Sequence, residues 1–167
     1  MDNGTFVTPG LVLRETETKE SDKILTVLTP ELGRISVIAK GARSRRSKYT
    51  AACQLLAYDE MTLRRKGEWY YLAEANTIEL FDGVRQDIER LALAAYFAEL
   101  TEAVCQDAMA AAEILPLLLN ALFALGTLGK EPRLVKAAYQ FRLLALAGFE
   151  PLASECAGIC SSPVSGS

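Results

Sequence analysis

Histidine is absent from all 167 residues of this chain. That removes the commonest general base and the commonest zinc ligand, and with them the Ser-His-Asp relay and the HExxH type of metal site. Cysteine is scarce, with four residues. Cys53 and Cys105 stand singly in apolar or mixed surroundings, as small buried side chains do, and no disulfide framework follows. The N-terminus, MDNGTFVTPG, has no basic stretch leading into an apolar run, so no secretory signal is read and a cytoplasmic location is expected. Asn3-Gly4-Thr5 is then a chance glycosylation sequon. The longest uncharged stretch, Ile114 to Gly129, is shorter than the roughly 20 apolar residues of a membrane span and contains Pro116 and Asn120, which reads as a core helix. Leu125-Gly126-Thr127-Leu128-Gly129-Lys130-Glu131 fails as a phosphate loop, because Ala124 stands where the first glycine is needed and Glu131 where the magnesium-binding Ser or Thr is needed.

Half of the chain is apolar, enough for a real core. The net charge of −3 argues against a general polyanion binder, but the charges are unevenly spread. Residues 1–80 carry 12 Lys and Arg against 11 Asp and Glu, whereas residues 81–167 carry 6 against 10. Within the first half, no acidic residue falls between Glu31 and Asp59, while Arg34, Lys40, Arg43, Arg45, Arg46 and Lys48 all do.

The first half reads as β. Gly10–Arg14, Ile24–Thr29, Arg34–Lys40, Gln54–Arg65 and Trp69–Leu80 are rich in β-branched, leucine and aromatic residues and are separated by turn signals. Thr29-Pro30-Glu31-Leu32-Gly33 predicts a hairpin, with proline presetting φ and glycine where the chain leaves the turn. Lys66-Gly67-Glu68 predicts a second, carrying Arg64, Arg65 and Lys66 at its tip. In the third strand, period two puts Ile35, Val37 and Ala39 on one face and Arg34, Ser36 and Lys40 on the other, with Ile38 breaking the pattern. Short antiparallel strands with no room for a parallel crossover point to a small barrel of the oligonucleotide-binding (OB) type. From about Val84 the period becomes helical. Leu93, Tyr96 or Phe97, Leu100 and Val104 form one stripe, and Leu134, Ala138, Phe141 and Ala145 form another, around an Ile114–Leu125 segment apolar nearly all round. Gly126 with Gly129, and later Gly148 ahead of Pro151, are helix stops. The expected class is α+β: an OB-type five-stranded barrel over residues 1–81, a helical domain over 82–150, and a cysteine-containing tail over 151–167.

Lys40–Lys48 has the composition of a phosphate-neutralising loop, long cations on small flexible residues, although a solvated basic loop would look similar. Exposed cations there are expected to contribute little to stability. Tyr49, Tyr58, Trp69, Tyr70 and Tyr71 are candidates either for base stacking or for the core. Cys156-Ala157-Gly158-Ile159-Cys160 supplies half of a zinc site, or else two free thiols in a tail.

In these residues the chain resembles the RecO family of bacterial recombination mediators. The resemblance runs through Gly10–Arg14, Glu20–Thr26 and the specific Thr29–Arg43 segment, and resumes in Ala94–Leu100, Phe141–Leu144 and Gly148–Leu152. It implies an OB barrel, a helical domain and, in many members, a four-cysteine zinc module. It also implies work without bond-breaking chemistry: binding single- and double-stranded DNA, annealing complementary strands and, with RecR, helping RecA displace single-stranded-DNA-binding protein (SSB). The family pattern continues beyond Cys156 and Cys160 to a second cysteine pair, so this chain reads as a truncated product or fragment whose zinc site is incomplete. The candidate DNA contacts are Arg34, Lys40, Arg43, Arg45, Arg46 and Lys48, with Arg64, Arg65 and Lys66 as a second patch. The alternative is an adaptor whose helical half docks an acidic or amphipathic peptide.

Overall fold

The computed structural model describes residues 4–18, 20–44, 47–105 and 108–146. Five strands, β1 (Thr5–Glu17), β2 (Lys23–Thr29), β3 (Gly33–Ala39), β4 (Tyr58–Lys66) and β5 (Trp69–Glu79), are followed by α1 (Asp82–Arg85), α2 (Ile88–Val104), α3 (Ala108–Gly126) and α4 (Pro132–Leu146). The strands close into a barrel in the order β1-β2-β3-β5-β4, the arrangement of the OB fold. All neighbours are antiparallel except β3 and β5, which meet in parallel through Val37 opposite Tyr70 and Ile38 opposite Tyr71. Both expected hairpins form, with Thr29 opposite Gly33 and Lys66 opposite Trp69. Gly67, at φ 66°, supplies the left-handed residue that a two-residue turn requires.

Alternation decides the core. Val12, Leu25, Val27, Ile35, Val37, Met61 and Leu63 fill the barrel interior. Leu11, Leu13 and Leu28 point the other way, into a second core shared with the helices. A strand buried on both faces has to be continuously apolar, which is why Gly10-Leu11-Val12-Leu13 carries no polar side chain. The connection from β3 to β4 consists of turns, and it places Cys53 and Ala57 inside the barrel and Leu56 against the helices. Backbone bonds from Leu56 N to Val12 O (2.8 Å) and from Val12 N to Ala57 O (3.0 Å) hold it to β1.

Asp59 is also inside, fully buried on β4, and neither carboxylate oxygen has a hydrogen-bond partner. Burial pushes its carboxyl up to about 7, an effect that the nearby Thr77 hydroxyl offsets only partly. Cys53 is raised to about 11, first by burial and then by the Asp59 charge.

The buried face is offset from expectation in α2, where Phe97 is inside as one alternative had it, and differs in α4. α2 inserts Ala94, Phe97, Ala98 and Thr101, leaving Leu93, Tyr96, Leu100 and Val104 half-buried at the margins. α4 buries Val135, Tyr139 and Leu143, while Leu134, Ala138, Phe141 and Ala145 are exposed. α4 is apolar on both sides, so periodicity alone offers two stripes. The buried one contains Tyr139, whose ring lies 4.6 Å from that of Phe97 and whose hydroxyl meets Thr101 Oγ1 at 2.5 Å. Because Thr101 donates to Phe97 O at 2.7 Å, the Tyr139 hydroxyl acts as donor to Thr101.

α3 is long and apolar enough to pass a membrane-span test by length and composition. Its Ile114, Leu115, Leu118, Leu122 and Leu125 are buried within the helical core, as expected of a central helix. Gly129, at φ 62°, follows α3 as the expected stop. Gly126 does something else. A Cβ there would lie 2.8 Å from Val84 Cγ2, and one on Gly83 would lie 2.7 Å from Gly126 O, so the two glycines let α1 and α3 touch backbone to backbone.

Candidate nucleic-acid interface

Pairing of β3 with β5 brings the end of β3 against the β4–β5 hairpin. Lys40 thereby joins Arg64, Lys66, Tyr71 and Leu72 around one hollow of about 300 Å³. One cation of the first run thus meets the second run. Arg64 sits opposite Tyr71, and Arg65 opposite Tyr70. The Lys66 ammonium lies 5.8 Å from the Tyr71 ring, and the Arg65 guanidinium lies 5.9 Å from that of Tyr70. From the neighbouring connection, Lys48 sits 5.3 Å from the Tyr49 ring, whose hydroxyl donates to Ala73 O on β5 at 3.3 Å. Three cations are thus held over three tyrosines along one edge of the barrel. Trp69, 42% exposed at the hairpin tip, adds an open aromatic surface.

The aromatic alternatives separate here. Tyr58 packs against the helical core, Tyr49 and Tyr70 support the barrel core from its rim, and Trp69 alone is exposed.

The remaining cations sort differently. Arg34 lies at the opposite end of β3 from Lys40, roughly 20 Å away at about 3.3 Å per residue, and donates to the backbone carbonyl of Glu102 in α2. Arg14 grips the Glu102 carboxylate at 2.8 Å, so both arginines tie the barrel to the helices. Arg43 is also engaged. Its guanidinium donates to Thr18 O and lies 3.5 Å from Glu17, while its backbone N–H bonds Ser21 O at 2.9 Å. Asp22 accepts from Gly41 N at 2.7 Å, completing the attachment of the loop's first residues to the β1–β2 turn. Arg43 is thus tied to the β1–β2 turn, through side-chain contacts that are solvent-exposed. Arg45 and Arg46 lie outside the described residues, as do Cys156 and Cys160. Among the described residues there is no cluster of three metal-ligating side chains.

Sequence reasoning missed Leu72, which walls the hollow, and Asp22, which anchors its loop. Asp22 had no local signal, because the Gly41 amide that it accepts from lies 19 residues away. Nor had Leu72, because its position depends on barrel closure.

Two family profiles match the chain: "Recombination protein O N terminal" over residues 1–81 and "Recombination protein O C terminal" over residues 85–165. Among curated relatives, "DNA repair protein RecO" of Acetivibrio thermocellus is 35% identical over 149 residues, covering 89% of this chain and 59% of the relative. The protein of the same name from Caldicellulosiruptor bescii is 34% identical over 149 residues, covering 89% and 61%. That from Dehalococcoides mccartyi is 34% identical over 152 residues, covering 91% and 60%. The chain thus spans about three fifths of the length of these relatives. One profile falls on the barrel and the other on the helices that pack against it, and the chain belongs to the recombination protein O (RecO) family.

Proposed function

We propose that the chain acts in DNA repair as a recombination mediator, a DNA-binding and strand-annealing protein rather than an enzyme. The observation that carries this reading is the meeting of Lys40, Arg64 and Lys66 with Tyr71 in one hollow of an OB barrel, with the Lys48–Tyr49 and Arg65–Tyr70 pairs and the exposed Trp69 as further cation and ring surface. Annealing asks for no proton transfer and no nucleophile. Two polyanions repel, and a surface that neutralises phosphates lowers the barrier to bringing complementary strands together. Tyrosine and tryptophan rings beside those cations offer faces on which unpaired bases stack. Arg45 and Arg46, outside the described residues, are further candidate phosphate contacts, while Arg43 ties the loop's first residues to the β1–β2 turn and Arg34 ties the barrel to α2. In this reading the protein works in the cytoplasm at the nucleoid on single- and double-stranded DNA. It meets SSB and RecR, and through them assists RecA. Cys156 and Cys160 would contribute to a zinc module only together with further ligands, and no step of annealing is routed through it.

The test is annealing of two complementary labelled oligonucleotides, one coated with cognate SSB, followed by fluorescence at two salt concentrations. Acceleration by the chain is expected. Five neutralising cations predict that affinity for single strands falls with salt at a log–log slope of about −3.5. Absence of acceleration by a folded chain, or an affinity indifferent to salt, would refute the reading.

A second reading, the adaptor, is favoured by a groove of about 300 Å³ between α3 and α4, walled by Leu117, Ala121, Leu134 and Val135 with Lys130 and Arg142 beside it. Glu131 lines it too, so the trough is edged by two cations and one carboxylate, and it suits a peptide with apolar side chains and an acidic end, such as the SSB tail. Binding of that peptide by a chain that ignores bare DNA would make this the primary function.

A further inference from the structure

Of the cations on the barrel edge, three share the walls of one concavity. Lys40 leaves the end of β3, Arg64 and Lys66 project from the same face of β4, and Tyr71 and Leu72 of β5 complete the lining. Arg65, between the two β4 cations, belongs to the other face and sits over Tyr70. The four ion pairs among the described residues are Arg14 with Glu102, Lys23 with Glu15, Arg43 with Glu17 and Arg90 with Asp87, and none involves Lys40, Arg64 or Lys66. Three like charges gathered without a carboxylate repel one another, a cost that a bound anion would relieve.

The charge and the shape of the hollow narrow the choice of anion. An internal phosphodiester carries a single negative charge and has chain on both sides, so a continuous backbone must pass over the hollow. A terminal phosphate monoester carries about 1.5 to 2 negative charges near pH 7, presents three acceptor oxygens and has chain on one side only. The volume of about 300 Å³ admits such a group together with its sugar. Arg64 offers a planar fork for two of its oxygens and the lysines offer point charges for the rest. The Tyr71 ring and Leu72 form an apolar wall that keeps these interactions from being fully screened.

We infer that this hollow is a binding site for the terminal phosphate monoester of a DNA strand, held by Lys40, Arg64 and Lys66 against Tyr71. The inference rests on the DNA-binding reading above and adds to it a preference for phosphorylated ends.

The experiment measures binding of the 167-residue chain to one labelled single-stranded oligonucleotide in three forms: 5′-phosphate, 3′-phosphate, and hydroxyl at both ends. At least one phosphorylated form is expected to bind about fivefold or more tightly than the hydroxyl form, the scale of one charge-assisted contact on an exposed surface. The two phosphorylated arms show which end is read. In the double variant Lys40→Gln, Arg64→Gln the advantage should vanish. In Arg65→Gln all three affinities should fall together with the advantage intact. Circular dichroism melts of each variant guard against misfolding, and inorganic phosphate added as competitor should erode the difference in the native chain. Equal binding of all three forms by the native chain would overturn the inference while leaving DNA binding in place, as would an advantage that survives the double substitution. No binding of any form would overturn both.

Discussion

At the scale of single residues, Asp59 is the most consequential side chain outside the candidate interface. Its carboxyl titrates at about 7 in the folded barrel against 3.8 as the ordinary value. Below about pH 4 both folded and unfolded chains hold the proton. Between about pH 4 and 7 the unfolded chain releases it while the folded one retains it, so stability falls as pH rises through that window and levels off above it. Asp59→Asn should therefore gain stability over the native chain progressively across the same window, by up to about 4 kcal/mol at pH 8. Urea melts at pH 4.5, 6 and 8 measure this, and parallel curves for the two proteins would refute it. Legibility was uneven at this scale. The facing of Arg34, Ser36 and Lys40 away from the barrel core followed from period two and matches their observed exposure. That Arg43 would be bonded to Thr18 and Glu17, and Arg34 to Glu102, could not be read, because each partner is brought by another part of the chain.

Among the elements, the strands were readable because one face is buried and the other wet, and because glycine and proline mark both hairpins. The helices were harder. In α4 both sides are apolar, and the buried one is that where Tyr139 packs on Phe97 and bonds Thr101, contacts invisible in a linear pattern. In α2 the inward face is built of Ala94, Ala98 and Thr101 around Phe97, small side chains that a search for large apolar stripes passes over. The crossing of α1 with α3 depends on a pair of glycines, of which Gly126 reads in sequence as a mere terminator. Gly126→Ala and Gly83→Ala should each cost about 1 to 3 kcal/mol, the usual range for forcing a methyl into a packed contact. The clash is with backbone in the case of Gly83, leaving little room to adjust. Thermal melts of both variants give the answer, and a native-like midpoint would show that the helices move apart without penalty.

Over the whole molecule, barrel and helices share a core through Leu11, Leu13 and Leu28, with Arg14 and Arg34 clasping Glu102 at its edge. The fold class was legible from strand spacing and the change of period. The composition of the candidate interface was legible in part, since its cations announce themselves in two runs, but their union was not. It arises from the β3–β5 pairing, a contact between residues 33 positions apart that no local pattern encodes.

That pairing spans two residue pairs, against seven between β2 and β3. With so short a ladder, it is the place where the barrel should breathe, its amides exchanging with solvent ahead of those in the longer pairings. Lys40 stands on one lip of this seam and Arg64 and Lys66 on the other. A strand lying across them would act as a suture, so deuterium uptake at residues 37–40 and 70–72 should slow on adding DNA more than anywhere in the helices. Uptake that slows evenly, or not at all, would separate the binding surface from the seam. If the suture holds, DNA is more than cargo for this barrel, because it becomes the missing rungs of its shortest ladder.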